Sequence, residues 1–172
     1  MTLLEAIEVR HSVRRYKDIP LSDDIVKMLQ DKINELNVKT RLLVQLITNE
    51  PKAFKGIFTY SKFSGASNYF VMTGKKSRGI DERVSYYGEQ LVLLAQQLEL
   101  NTCLAGLSYQ KVANTYVLNK GEKIACDIAL GYGETQGAAY KSKDIREISN
   151  ASDSPLSGSI ELLKRSVLLL LQ

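Results

Sequence analysis

Apolar residues fall into two kinds of run along this chain, and their spacing separates them. Leu3, Leu4 and Ile7 recur at helical intervals and predict a short opening helix ending near Val9-Arg10. Ile25, Met28, Leu29, Ile33 and Leu36 make a second helical stripe. Pro20 closes the loop before it, Ser22 is placed to cap its N-terminus, and Asp23 and Asp24 put negative charge in its first turn. The clearest stripe, Val84, Tyr87, Leu91, Leu94, Ala95 and Leu98, predicts a core helix between about Asp81 and Leu98. The second kind of run is short and β-rich, and predicts four strands: Arg41–Thr48, ended by Glu50-Pro51; Tyr69–Thr73, stopped by Gly74; Thr102–Ala105; and Lys123–Leu130, ending in Gly131-Tyr132-Gly133. Gln110–Val117 is expected to be a helix, and Lys52–Ser67, which has no sustained period, a loop with at most one helical turn. A basic loop, a helical turn near Asp144–Ile148, a linker over Ser149–Gly158 and a helix from Ser159 are expected to follow. Strands that come singly among helices, without two-residue hairpin turns, favour an α+β domain whose small central sheet is covered by helices.

Composition narrows the classes of function. At 172 residues, 44% hydrophobic and 24% charged, the chain can bury one real core, so a single domain over 1–172 is expected. The net charge of +4 is a mild excess of 23 basic over 19 acidic residues spread along the chain, which does not call for nucleic acid. Cys103 and Cys126 each lie in an apolar stretch, with no Cys-x-x-Cys and a single histidine in the chain, so they are expected to be core thiols and no metal site is expected. The N-terminus carries acids inside its apolar turns and does not read as a secretory signal. The longest apolar run, Val167–Leu171, is far short of the roughly 20 residues of a spanning helix. A cytoplasmic protein without a membrane partner is the expectation.

The densest basic cluster, Arg10-His11-Ser12-Val13-Arg14-Arg15, follows directly on the opening helix and is sized for one phosphate. Arginine supplies charge with bidentate geometry, while serine and histidine add short hydrogen bonds. In extended chain Arg10, Ser12 and Arg14 would point to one side and His11, Val13 and Arg15 to the other. The alternative is a solvated basic turn.

Glu5-Ala6-Ile7, then Arg10-His11-Ser12-Val13-Arg14 and Tyr16, resembles the opening motif of the nitroreductase family. Tyr87–Gly106 looks like that family's core helix and its Leu-Gly-Leu-x-Thr-Cys-Trp-x-Gly segment, and Ile128–Gly133 with Lys141-Ser142-Lys143 resembles its late strand, glycine turn and basic loop. These pieces occur in the family's order over about residues 2–148, and they most resemble its smaller nitroreductase-like subgroup. The resemblance implies a mostly antiparallel central sheet, a homodimer, and FMN held non-covalently between two subunits. It places Arg10, His11 and Ser12 around the phosphate and ribityl end, Lys141 and Lys143 in the phosphate cage, and Arg14 at the pyrimidine edge. Ala105 and Gly106 would lie against the ring, where a main-chain N–H reaches N5 and a small residue permits close approach, and Asn68 would add a polar contact. NADH or NADPH is implied as electron donor, with a nitroaromatic, quinone or similar small-molecule acceptor in a ping-pong cycle. No protein side chain is assigned a catalytic role, because the flavin carries the chemistry.

Three departures from that pattern stand out. Glu99 occupies the glycine of Leu-Gly-Leu, just after a helix where a left-handed residue is favoured, so either the turn differs or it is strained. Leu104 replaces the frequent tryptophan. The segment 159–172 ends in Leu169-Leu170-Leu171-Gln172 where the subgroup continues through Ala-Pro-Thr-Ala to a further strand. Loss of one nucleotide from codons for that segment would read Leu-Leu-Leu-Gln-stop, implying a truncation; a natural apolar helix packed on the core or a partner is the alternative. These departures leave a flavin carrier or sensor with impaired turnover as the second reading. A basic nucleic-acid module, which would bind with a steep salt dependence, is the third and least favoured.

Overall fold

The structure, a computed structural model, describes residues 1–55 and 62–138. The expected helix over Ser159–Gln172, the turn near Asp144–Ile148, the linker before Ser159 and the basic residues Lys141 and Lys143 lie outside those residues.

Helix α1, Leu3–Val9, is opened by a capping box in which the Thr2 side chain accepts from the Glu5 N–H and the Glu5 carboxylate accepts from the Thr2 N–H. Helix α2, Asp23–Thr40, starts at Ser22, whose hydroxyl accepts from the Ile25 N–H. Its buried stripe is Leu29, Ile33 and Leu36; Met28, expected in the stripe, is 48% exposed because it lies at the stripe's edge. Four strands follow, β1 at Leu42–Ile47, β2 at Asn68–Lys75, β3 at Asn101–Ala105 and β4 at Glu122–Gly131, with α3, Ile80–Gln97, between β2 and β3. They form one antiparallel sheet in the order β1-β2-β4-β3, so the fold is the expected α+β arrangement with a small antiparallel sheet. Gly74 lies inside β2, facing Leu42, and the chain leaves the sheet only after Lys75.

Alternation along the strands gives the sheet two apolar faces. Phe70, Met72, Ile128 and Leu130 pack with α2 and α3 through Leu29, Ile33, Leu36 and Leu91. Tyr69, Val71, Ala105 and Ala129 pack on the opposite side against a 3-10 turn, Pro51–Phe54, and against Tyr109, Val112 and Tyr116. The helix expected over Gln110–Val117 is absent; the segment is a chain of turns. Its backbone is held by tertiary partners: the Gln110 N–H donates to the Ala53 carbonyl (2.8 Å), the Gln45 side chain pairs with both backbone groups of Val117, and Asn114 is left-handed (φ 63°). No helix among the described residues is long and apolar enough to cross a membrane.

Candidate functional site

The basic cluster is stitched into the sheet edge. Arg10 caps α1 in an extended conformation, its N–H donating to the Ala6 carbonyl at 3.0 Å. Ser12 then bridges Thr102 of β3 in parallel, and the Val13 N–H donates to the Thr102 carbonyl at 3.0 Å. Beyond it the Arg14 carbonyl accepts from the Ser64 N–H (2.9 Å) and the Tyr16 N–H donates to the Ser64 carbonyl (2.8 Å). Buried Val13 and Tyr16 anchor this extended segment. A freely solvated turn would make none of these bonds.

Arg10 and Ser12 share a cleft of about 160 Å³ between α3 and β3. Ser85 and Glu89 of α3 and Thr102 of β3 supply its other polar groups, over an apolar floor of Val84, Val92 and Ile128. Gly88 makes the cleft shallow and tight, since a Cβ there would come within 3.3 Å of the Met72 methyl and 3.4 Å of Ile128 Cδ1. Glu89, the next residue, meets Arg10 with Oε1 3.1 Å from Nε. Burial pushes the Glu89 carboxyl above its ordinary range, and the guanidinium acts in the opposite direction.

The other sequence-selected residues are distributed around this cleft. His11 is half-buried on the far side of the alternation, packed so closely on Gly137 (φ +85°) that a Cβ there would lie 2.6 Å from the His11 Cβ. Arg14 is exposed and does not line the cleft; its charge lies beside the Cys103 thiol and the Tyr16 phenol, both pushed up chiefly by burial, with Arg14 pulling them down. Asn68 is buried, its Oδ1 accepting from the Asn49 N–H at 3.1 Å, and is likewise not part of the cleft. Ala105 is fully buried at the end of β3, whereas Gly106 is exposed with open space where a Cβ would be. Leu104 (57% exposed) and Leu107 (96% exposed) flank it with apolar surface. Ser12 and Gly106 therefore mark two ends of β3 about 10 Å or more apart at the usual rise per strand residue. Both cysteines are buried free thiols, as expected.

Four polar residues near these features escaped the sequence reading. Ser85, Glu89 and Thr102 line the cleft; the signal for the first two is the helical spacing of Ser85, Gly88, Glu89 and Val92, a small-residue face interrupted by one acid. The fourth, Asp127, interrupts the apolar run of β4 and sits opposite both Val71 and Ala105. It is 1% exposed, its Oδ1 has no hydrogen-bond partner, and burial pushes its carboxyl up to about 7 against the opposing pull of Lys111.

Residues 2–163 match the model of a family described as "Putative TM nitroreductase". Among curated proteins no relative is matched. Solved structures share the fold at low identity. An FMN-dependent nitroreductase from Clostridium difficile R20291 is 16% identical, with a TM-score of 0.64 over 88% of this chain and 99% of that one. A "putative nitroreductase in complex with fmn" from Desulfovibrio desulfuricans is 18% identical, with a TM-score of 0.67 over 90% and 99% of the two chains. A nitroreductase-like protein from Streptococcus mutans is 14% identical, with a TM-score of 0.68 over 87% and 98%.

Proposed function

Because this chain belongs to the nitroreductase family and is an oxidoreductase, we propose that it is an FMN-dependent NAD(P)H oxidoreductase that reduces nitroaromatic, quinone or similar small-molecule acceptors. The observation that carries the reading is the fixing of Ser12 along β3 beside Arg10 at the end of α1, in a cleft with a polar rim and an apolar floor. Two of the structurally similar proteins are described with FMN.

The donor set fits such a cofactor in parts. Arg10 and Ser12 offer an anion a guanidinium and a hydroxyl held by the sheet edge, and Thr102 and Ser85 add hydroxyls suited to a ribityl chain. Gly106 offers an open backbone against which a planar ring can lie, with Leu104 and Leu107 as apolar neighbours. Lys141 and Lys143 would complete the phosphate cage, Arg14 would place fixed positive charge near the pyrimidine edge where negative charge develops on reduction, and His11 and Asn68 would hold the surrounding turns. A bound flavin would supply the hydride chemistry between NADH or NADPH and the acceptor in a ping-pong cycle; the protein's part is binding, orientation and exclusion of water. At about 160 Å³ the cleft is smaller than the roughly 300–1,000 Å³ of whole-ligand pockets, so it takes one end of the molecule. The exposed leucines beside Gly106 are the surface a second subunit would cover, which supports a homodimer.

A flavin carrier or sensor is the second reading, favoured by Leu104 standing exposed where the family places an aromatic wall. One experiment separates the possibilities. The purified protein is expected to show flavin absorption, to release FMN on heat denaturation, and to oxidise NADH or NADPH when a quinone is added. Yellow protein without turnover would support the carrier; colourless protein that takes up no added FMN would overturn both.

A further inference from the structure

Resting on the FMN reading, we propose that Glu89 is a positioning residue which draws the Arg10 side chain across to α3 and aims its guanidinium at the flavin phosphate. Arg10 stands at the C-terminal end of α1, where the last helix carbonyls gather partial negative charge. Those carbonyls attract a guanidinium and repel a phosphate, so an arginine left to its own helix end would fold back onto it. Glu89 offers the competing anchor from the opposite wall of the cleft, with Oε1 3.1 Å from the Arg10 Nε.

The edge of contact matters. A guanidinium has five N–H donors, and a carboxylate on its Nε side leaves the fork of the two terminal nitrogens for a second, bidentate anion. Glu89 is held in place by Gly88, whose missing Cβ lets α3 lie against Met72 and Ile128 and brings the next residue to the mouth of the cleft. The pair is half-exposed, with side-chain accessibilities of 33% for Arg10 and 46% for Glu89, so screening by water leaves it little weight as a stability device. A carboxylate by itself disfavours an anion. Its presence among Ser12, Ser85, Thr102 and Arg10 is explained by what it does to the arginine.

The test compares FMN with riboflavin, which lacks only the phosphate, in the full-length protein freed of flavin. The ratio of the two dissociation constants, read by fluorescence quenching, isolates the phosphate subsite. Glu89→Gln is expected to lower the preference for FMN about tenfold, the weight of one charge-assisted hydrogen bond, while leaving riboflavin binding within twofold. In an Arg10→Ala background the same substitution is expected to leave the ratio unmoved, as required of a residue acting through Arg10. An unchanged or increased FMN preference in Glu89→Gln would overturn the proposal, an increase showing that Glu89 competes with the phosphate. Equal loss of FMN and riboflavin would also overturn it, as the mark of a structural role. If the unsubstituted protein binds neither flavin, the cofactor reading itself fails, and the positioning role fails with it.

Discussion

Phe70 and Met72 of β2 look onto two eighteen-residue helices, whereas Tyr69 and Val71 of the same strand look onto a 3-10 turn and a run of loop. A helix satisfies its own backbone and can offer an unbroken apolar stripe, so the first face is packed by Leu29, Ile33, Leu36, Leu91 and their neighbours. A loop cannot, and its peptide groups must be met one by one. The second face accordingly contains rings at an angle to one another, Phe54 with Phe63 (4.8 Å between centroids) and Phe54 with Tyr69 (5.5 Å). It also contains the buried carboxyl of Asp127, with an unpartnered oxygen. The helical cover is built for stability, and the loop cover tolerates polar groups at a cost.

The largest expected effect tests that cost. The Asp127 pKa rises from 3.8 to about 7 on folding, so the folded chain holds the proton more tightly than the unfolded one. Stability contributed by the neutral acid is full below pH 3.8, declines as pH rises, and is gone once pH passes about 7. Asp127→Asn removes the titration and is expected to stabilise the protein by about 3 kcal/mol at pH 8, with little effect near pH 4. Each tenfold difference in proton affinity between the folded and unfolded chains is worth about 1.4 kcal/mol, and burying the amide takes back part of the gain. Urea unfolding at the two pH values measures the difference. A variant less stable than the parent at pH 8 would show that the carboxylate is satisfied, and the contrast between the faces would disappear.

A second pair sharpens the comparison on one strand. Asn37 of α2 clamps Val44 of β1, with Nδ2 donating to its carbonyl (2.9 Å) and Oδ1 accepting from its N–H (2.8 Å). The adjacent Gln45 does the same for Val117 of the loop, at 2.8 and 2.7 Å. The chemistry is identical, but the first clamp is partly buried and covers the outer edge of β1, while the second faces water. Asn37→Ala strands two backbone groups and is expected to cost about 2 kcal/mol; Gln45→Ala lets water replace the amide and is expected to cost about 0.5 kcal/mol. Equal losses in urea unfolding would mean that the loop cover is as dry as the helical one.

The same division explains what could be read in the sequence. Helical period gives α3 to within a residue and the start of α2, whose apolar stripe is read to Leu36 and which runs on to Thr40, and β-rich runs give all four strands, because burial against one continuous face imposes a repeat. Gln110–Val117 had the composition of a helix and became turns, since Ala53 and Gln45, distant in sequence, take its backbone groups. At the site, Arg10 and Ser12 were legible as a pair because they alternate within a short extended segment. Arg14 is expected beside them, yet it does not line the cleft, and the segment passes from Thr102 to Ser64 as partner between Val13 and Tyr16. Glu89 shows in the sequence only as the acid interrupting a small-residue helical face, because a charged residue in an amphipathic helix reads as surface; Asp127 gives no signal, since a lone acid in a strand does not reveal which neighbours leave it dry.

A further small effect is expected at the turn that leads from the helical cover into β3. α3 ends in a Schellman arrangement, with the Leu100 N–H donating to the Ala95 carbonyl (2.8 Å) and the Glu99 N–H to the Gln96 carbonyl (3.1 Å). Glu99 holds the left-handed position at φ 63°, where a side chain meets the Cβ penalty that a glycine escapes, so of the two alternatives strain is the one that applies. A non-glycine residue there costs about 1–2 kcal/mol, partly offset because glycine loses more freedom on folding. Glu99→Gly is therefore expected to raise stability by about 0.5–1 kcal/mol in urea unfolding, without moving flavin affinity. Such a gain would place a compromise on the better-packed side of the sheet as well. A loss would instead mean that the exposed Glu99 side chain contributes interactions outweighing its backbone conformation, and the helical face would stand as the uncompromised half of the comparison.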